Sequence, residues 1–370
     1  MTDWTSALTG DERIIFTLRS LYARYGYMPY RMSKFEEYDL YGKNKEFLVS
    51  DSVIAFTDVG GKLMALKPDV TLSIVKNTRD GDGHKLYYNE NVYRVPKGAH
   101  AFREIMQVGL ECIGELTQCD ICEVLWLAAN SLDAILPDFV LDVSHLGLTA
   151  AALDSLSVAD DVRDSLLKCI GEKNTHEIAA LCSESGAPEE KKNALLELIS
   201  VSSPAAEAIA ELEALAEVFG ARDAVEELKR TLRVFDGSGF EDRIHVDASV
   251  ISDMNYYNGI VFKGFLRGAP GSVLSGGQYD RLMKKMKRSS KAIGFAVYLD
   301  MLERLYDDAQ PFDADLMLIC PPDTDPAVLR RTLDRLIGEG KTVRTAEKVD
   351  PEFRAKSVAK LENGEVIPLE

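Results

Sequence analysis

Residues 87–115, YYNENVYRVPKGAHAFREIMQVGLECIGE, leave this chain few ways to fold. Two runs, 86–94 and 103–113, alternate apolar and polar residues at close to every second position, which is the period of a strand. Pro96, Lys97 and Gly98 between them supply a loop. On the second run Gln107, Gly109 and Glu111 alternate with Ile105, Val108 and Leu110, close to the period of two. Gln107 and Glu111 therefore project from one face, about 13 Å apart at roughly 3.3 Å per residue. An amide and a carboxylate on a buried sheet face need polar partners. From the residues alone two readings stay open: a satisfied polar pair in the core, or one wall of a small-molecule site.

The remaining chain must supply the rest of that sheet. At 370 residues it is too long for one core, so two or three domains are expected. The net charge of −17 gives an average surface that repels nucleic acid. The one basic run, Lys284-Lys285-Met286-Lys287-Arg288 with Lys291, has no interleaved aromatics and reads as a solvated helix end. No apolar run reaches the length of a membrane span, and the acidic start MTDWTSALTGDER resembles neither a secretory nor a transit peptide. A cytoplasmic protein with reduced thiols is expected. Cys119 and Cys122 form a C-x-x-C without the second pair a zinc site needs, so they read as helix-packing residues.

In chain order, a helix is expected over 9–25, with Thr9 as its cap and Gly26 as its stop. An extended stretch and a short helix follow. A hairpin spans 53–57 and 62–67 around Asp58-Val59-Gly60-Gly61. Lys67-Pro68-Asp69-Val70-Thr71 opens a helix over 72–77, and Asp69 or Thr71 sits where a cap would be. The pattern then predicts a helix over 119–136 and a strand over 139–143. Residues 148–236 turn to Ala, Leu, Glu and Ser with helical spacing, an all-helical insertion broken at Gly171, Gly186-Ala187-Pro188, Ser202-Ser203-Pro204 and Gly220. Strands resume over 244–250, 260–265, 272–276 and 292–297, followed by a helix over 299–306. Gly276 and Gly277, beside Tyr279, suggest close backbone approach to something small, or a bulge. A boundary falls at 312. Residues 313–370 form a small β-α-β-α-β unit, with strands at 316–320, 341–344 and 365–368 and helices at 325–339 and 352–361.

Taken in this order, the fragments over residues 10–310 resemble the histidyl-tRNA synthetase family of class II folds. ALKPDVT resembles its leucine-arginine-proline-glutamate-x-threonine motif, YRVPKGAHAFREIMQVGLE its motif 2, NYYNGIVF its tyrosine-tyrosine-threonine-glycine segment and SGGQYD its alanine-glycine-glycine-arginine-tyrosine-aspartate segment. The resemblance implies an α+β fold: a class II synthetase-like mixed, mainly antiparallel sheet flanked by helices. It implies a core domain over 1–312 holding the helical insertion, and a terminal unit over 313–370 similar to a truncated anticodon-binding domain. It also implies a histidine pocket. Asp69 stands for the acid on the α-amino group and Thr71 for its companion. Arg94 takes the place of the motif 2 arginine, Gln107 and Glu111 line the pocket, and Tyr256 and Tyr257 close it. Gly276, Gly277 and Tyr279 stand beside them.

The departures concern the ATP chemistry, which needs cations around transferring phosphates. Ser252 holds the place of the second catalytic arginine, Met301 that of the motif 3 arginine, with Arg304 one turn on, and Pro96 that of an acid after Arg94. A kept histidine pocket without those arginines resembles the family's paralogues that serve as regulatory subunits of ATP phosphoribosyltransferase. That resemblance implies a non-catalytic chain without a cofactor, a short-form catalytic subunit as partner in a four-plus-four hetero-octamer, feedback by L-histidine, and no nucleic-acid or membrane partner. Class II analogy implies a homodimer through residues 20–40. Two rivals remain: an active synthetase with Arg304 or Arg267 standing in, and a stand-alone amino-acid-binding paralogue.

Overall fold

The computed structural model describes residues 8–48, 52–95, 101–251, 256–305 and 312–369. It divides into two compact units, Met1–Tyr306 and Asp307–Glu370.

In the larger unit α1 (Gly10–Arg24) carries a capping box. The Thr9 hydroxyl accepts from the Glu12 N–H, and the Glu12 carboxylate accepts from the Thr9 N–H. After β1 (Met28–Pro29), a three-stranded sheet forms from β2 (Phe35–Glu37), β3 (Ala55–Thr57) and β4 (Leu63–Leu66), with α2 (Tyr38–Gly42) between. Then come α3 (Thr71–Asn77), β5 (His84–Arg94), β6 (Arg103–Gly114), α4 (Gln118–Ile135) and β7 (Phe139–His145).

The insertion follows as α5 (Leu146–Ser155), α6 (Asp160–Gly171), α7 (Thr175–Glu184), α8 (Glu189–Ser200), β8 (Ser202–Pro204), α9 (Ala205–Phe219) and α10 (Arg222–Leu232). Gly220 ends α9 in the left-handed region, at φ 70°. The insertion is not wholly helical. The break at Ser202-Ser203-Pro204 forms the short strand β8, which pairs with β9 (Ile244–Asp247) at the margin of the main sheet. The core resumes with β9, β10 (Asn258–Leu266), β11 (Ser272–Gln278), α11 (Asp280–Lys285) and β12 (Lys291–Tyr298).

The described strands form a nine-stranded sheet in the order β1-β5-β6-β12-β11-β10-β7-β9-β8. Only β1–β5 and β7–β9 pair in parallel, so the sheet is mixed and mainly antiparallel. Both margins are very short strands that include a proline, Pro29 and Pro204, which limits further strand addition. One face packs Val108, Leu110, Phe295 and Phe262 against Leu18 and Tyr22 of α1 and Val124 and Leu132 of α4. The opposite face holds the cavity described below. The helix expected over 299–306 is instead two 3-10 turns, Leu299–Met301 and Glu303–Leu305. No helix among the described residues is long and apolar enough to cross a membrane.

The smaller unit comprises β13 (Ala314–Ile319), α12 (Pro326–Gly338), β14 (Val343–Ala346), β15 (Ala355–Glu362) and β16 (Glu365–Leu369), in the sheet order β14-β13-β15-β16. The expected helix over 352–361 is thus a strand. Its Ala, Lys and Glu content favours a helix locally. Asn363 and Gly364, at φ 49° and 84°, turn the chain back in a two-residue hairpin loop that pairs Glu362 with Glu365. Pairing of β15 with β13 buries Ala359 and Leu361 and overrides the propensity.

Candidate functional site

The register across five strands builds the floor of the site. On β6, Gln107, Gly109 and Glu111 lie opposite Tyr298, Ala296 and Gly294 of β12. Tyr88 of β5 lies opposite Gly109. Ser275 of β11 pairs with Ala296 and with Lys263 of β10. Directly opposed residues project to the same face of a sheet. The centre of this face therefore carries Gly109, Gly294 and Ala296, with larger polar side chains around them. A cavity of about 790 Å³ opens there, within the span of roughly 300–1,000 Å³ usual for small-molecule sites.

Glu111 anchors the inner wall and is 2% exposed. The Thr71 hydroxyl donates to its Oε1 at 2.8 Å and the Tyr279 hydroxyl to its Oε2 at 2.6 Å. Burial pushes the Glu111 carboxyl up to about 8, against the two hydroxyl hydrogen bonds that favour its ionised form; nearby Asp69 adds to the rise. A side chain at Gly294 would clash with that carboxylate, so only glycine fits opposite Glu111. Asp69 is half-buried and accepts from the Leu72 N–H at 2.8 Å. It thus satisfies an N–H in the first turn of α3 and also lines the cavity. Burial raises its carboxyl, while the Leu72 N–H and then the Arg94 guanidinium offset part of the rise. Tyr256 packs on Tyr257 at 4.5 Å and on Tyr279 at 5.8 Å between ring centres, which closes the wall with aromatic surface.

Lys67 holds this wall in place. It is fully buried and ion-paired to Glu90 of β5, which ties the segment bearing Asp69 to the strand bearing Arg94.

The outer wall is built differently. The Arg94 guanidinium lies 5.6 Å from the centre of the Tyr298 ring, and the Tyr298 hydroxyl shares a 2.7 Å hydrogen bond with Ser275. Lys263, Asp300 and Met301 complete it. Burial raises the Asp300 carboxyl, with Arg94 acting against the rise, and its buried Oδ1 has no hydrogen-bond partner among the described residues.

Of the residues expected at a site, Asp69, Thr71, Arg94, Gln107, Glu111, Tyr256, Tyr257 and Tyr279 all border this cavity. Gly276 and Gly277 do not. A Cβ on Gly276 would overlap Phe295 of the neighbouring strand, and one on Gly277 would lie 2.9 Å from the Tyr257 ring, so both glycines serve sheet packing. In the same segment Gln278 accepts from the Ile260 N–H at 2.6 Å, and Asp280 accepts from Asn258 and from the Ala292 N–H, both at 3.1 Å. Pro96 and Ser252 lie outside the described residues. Arg267 pairs at the surface with Asp138 at 3.0 Å, and neither it nor Arg304 lines the cavity. Cys119 is exposed, and the Cys122 thiol packs 3.7 Å from the Thr231 carbonyl. Sequence reasoning missed Tyr88, Lys263, Ser275, Tyr298 and Asp300 as lining residues. The alternation of each strand was visible, but which strands lie side by side was not.

The profile described as histidyl-tRNA synthetase matches residues 8–302. Curated relatives include an ATP phosphoribosyltransferase regulatory subunit of Alkaliphilus metalliredigens, 27% identical over 290 residues, which are 76% of this chain and 73% of that protein. Another is the histidine–tRNA ligase of Methanocaldococcus jannaschii, 27% identical over 351 residues, 88% of this chain and 79% of that protein. A solved Bacillus halodurans C structure, described as an ATP phosphoribosyltransferase regulatory subunit/histidyl-tRNA synthetase, matches the fold with a TM-score of 0.79 at 22% identity. The match covers 97% of this chain and 95% of that one. A chain of the Thermotoga maritima ATP phosphoribosyl transferase HisG:HisZ complex matches with a TM-score of 0.61 at 19% identity, covering 77% of this chain and 96% of that one.

Proposed function

Because this chain belongs to the histidyl-tRNA synthetase family, we propose that it is the family's non-catalytic form, the regulatory subunit of an ATP phosphoribosyltransferase. It is required for that enzyme's activity in the first step of histidine biosynthesis and carries the feedback site for L-histidine. The observation that supports this most is the charge of the cavity. Its described lining holds two cations, Arg94 and Lys263, against three carboxyl groups, Asp69, Glu111 and Asp300. A site that transfers nucleotide to a carboxylate concentrates cations on the phosphates. Here an apolar side chain, Met301, lines the place where the synthetase pattern has arginine. Arg94 and Lys263 are outnumbered by the three carboxyl groups, and a lysine does not replace an arginine fork on a phosphate.

The inner wall suits a small zwitterion. Asp69 is assigned to the ammonium group, Gln107 and Glu111 to the imidazole N–H groups, Tyr256, Tyr257 and Tyr279 to the sides of the ring, and Arg94 to the carboxylate. Inhibition then requires that histidine favour an assembly in which the catalytic partner is inactive, by about 1–3 kcal/mol in usual cases of coupling. The partner is a short-form catalytic subunit, in a hetero-octamer of four and four chains in the cytoplasm. A homodimer is assigned to the region around residues 20–40, where Tyr25, Met28 and Phe35 expose apolar surface. Nucleic acid is not assigned as a partner, given the net charge of −17.

Two measurements test this. Co-purification with the short catalytic subunit, with transferase activity that depends on this chain and is inhibited by histidine, is expected. Histidine-dependent ATP–pyrophosphate exchange by the purified chain would overturn the proposal in favour of a synthetase.

A further inference from the structure

Tyr88 is 2% exposed and borders the cavity. It stands opposite Gly109, where a Cβ would lie 2.5 Å from its hydroxyl. The phenol thus lies across the neighbouring strand in space that only glycine leaves open, and its hydroxyl reaches the middle of the floor. Other buried tyrosine hydroxyls near the core are engaged: Tyr22 with Ser131 at 3.0 Å and Tyr279 with Glu111 at 2.6 Å. The Tyr88 hydroxyl makes no hydrogen bond to any described residue and opens onto the cavity. Tyr27 and Tyr41 also lack hydroxyl partners, but neither borders the cavity. A hydroxyl held by a buried ring, unbonded within the protein and open to a cavity, is free to donate to whatever occupies that cavity.

The surroundings define what that ligand offers. Burial, then the nearby Glu111 and Asp69 carboxyls, hold the phenol well above its ordinary range, so it stays protonated and donates. Ligand N–H groups are taken by the acids at the inner wall. Tyr88 and the Gln107 amide, which is 5% exposed and has no side-chain partner among the described residues, lie on the floor between those acids and Arg94. With Asp69 and Glu111 as acceptors at one end and Tyr88 and Arg94 as donors toward the other, the floor grades as an α-amino acid grades from ammonium to carboxylate.

We propose that Tyr88 is a specificity-determining residue whose hydroxyl donates to the ligand carboxylate, distinguishing α-amino acids from amines that lack the acid. This rests on the reading of the cavity as a histidine site. Tyr88→Phe keeps the ring over Gly109 and removes only the oxygen. Because no internal hydrogen bond is lost, its Tm is expected to match that of the unaltered chain. Isothermal titration of the full chain with L-histidine and with histamine supplies the test. A hydrogen bond to a charged group contributes about 1.5–3 kcal/mol, and each 1.4 kcal/mol is tenfold. Tyr88→Phe is therefore expected to weaken histidine roughly tenfold or more and leave histamine unchanged. Unchanged histidine binding overturns the role of Tyr88 alone, as does equal weakening of both compounds or a fall in Tm. Failure of the unaltered chain to bind either compound overturns the histidine-site reading, and this inference with it.

Discussion

The two ends of the cavity follow opposite rules. At the inner end both Glu111 oxygens accept hydroxyl donors, Asp69 accepts a backbone N–H, and aromatic rings fill the remaining surface. At the outer end Arg94 stacks on a ring, Asp300 keeps a buried oxygen without a partner among the described residues, and Met301 is apolar. Pre-set, hydrogen-bonded groups recognise one small molecule, whereas phosphate transfer needs clustered cations. One end is hydrogen-bonded in advance, while the other sets Arg94 and Lys263 beside Asp300 and the apolar Met301. Under the proposed function, that difference is what separates binding from catalysis on this sheet.

Substitutions at the inner end should break this contrast with the largest effect. Glu111→Ala strands the Thr71 and Tyr279 hydroxyls and removes a ligand acceptor, so histidine affinity should fall at least a hundredfold, about 3 kcal/mol. Titration calorimetry measures it, and a loss below tenfold would show the inner wall to be structural. Gly294→Ala places a methyl group where the Glu111 carboxylate lies. Overpacking of this kind costs about 1–3 kcal/mol, read as a lower denaturation midpoint together with weaker histidine binding.

A pH effect follows from the raised Glu111 carboxyl. Below its ordinary value near 4.5 the group is protonated in both folded and unfolded chains, and its contribution to stability is complete. Between 4.5 and about 8 the unfolded chain releases the proton while the folded chain retains it, so stability falls as pH rises and levels off above 8. Thermal melts from pH 5 to 8 should show this decline, and Glu111→Gln should flatten it. An equal slope in both proteins would contradict the assignment. The smallest effect belongs to the outer end: Met301→Leu should change histidine affinity less than twofold, since swaps of similar volume are well tolerated. A large loss there would place the ligand across both ends.

Part of the cavity lining could be read before the fold was known: alternation reports which residues share a face, while Arg94, Tyr256 and Tyr257 came only from the family resemblance. Gln107 and Glu111 were legible in that way, and so was the short run from Asp69 to Thr71 ahead of a helix. Of the two readings of Gly276 and Gly277, approach to a ligand or a bulge, the register shift between Asn258 and Val261, opposite Gln278 and Gly277, supports the bulge. Glycine pairs arise from close backbone approach of any kind, and here the neighbour is Phe295 or Tyr257 and not a ligand. The strand at Ala355–Glu362 misled because its composition favours a helix, while the Asn363-Gly364 turn and pairing with β13 decide otherwise.

The sequence by itself determined the alternating faces of the strands, the capped helices, the acidic surface and the absence of arginine at 301. These depend on local geometry and on residue identity alone. Only the tertiary structure decided that Tyr88 lies across Gly109, that Gly294 makes room for Glu111, and that Tyr298 and Ser275 meet beside Arg94. Those contacts join strands distant in sequence, and their order is set by burial of both sheet faces, which no single stretch of chain encodes.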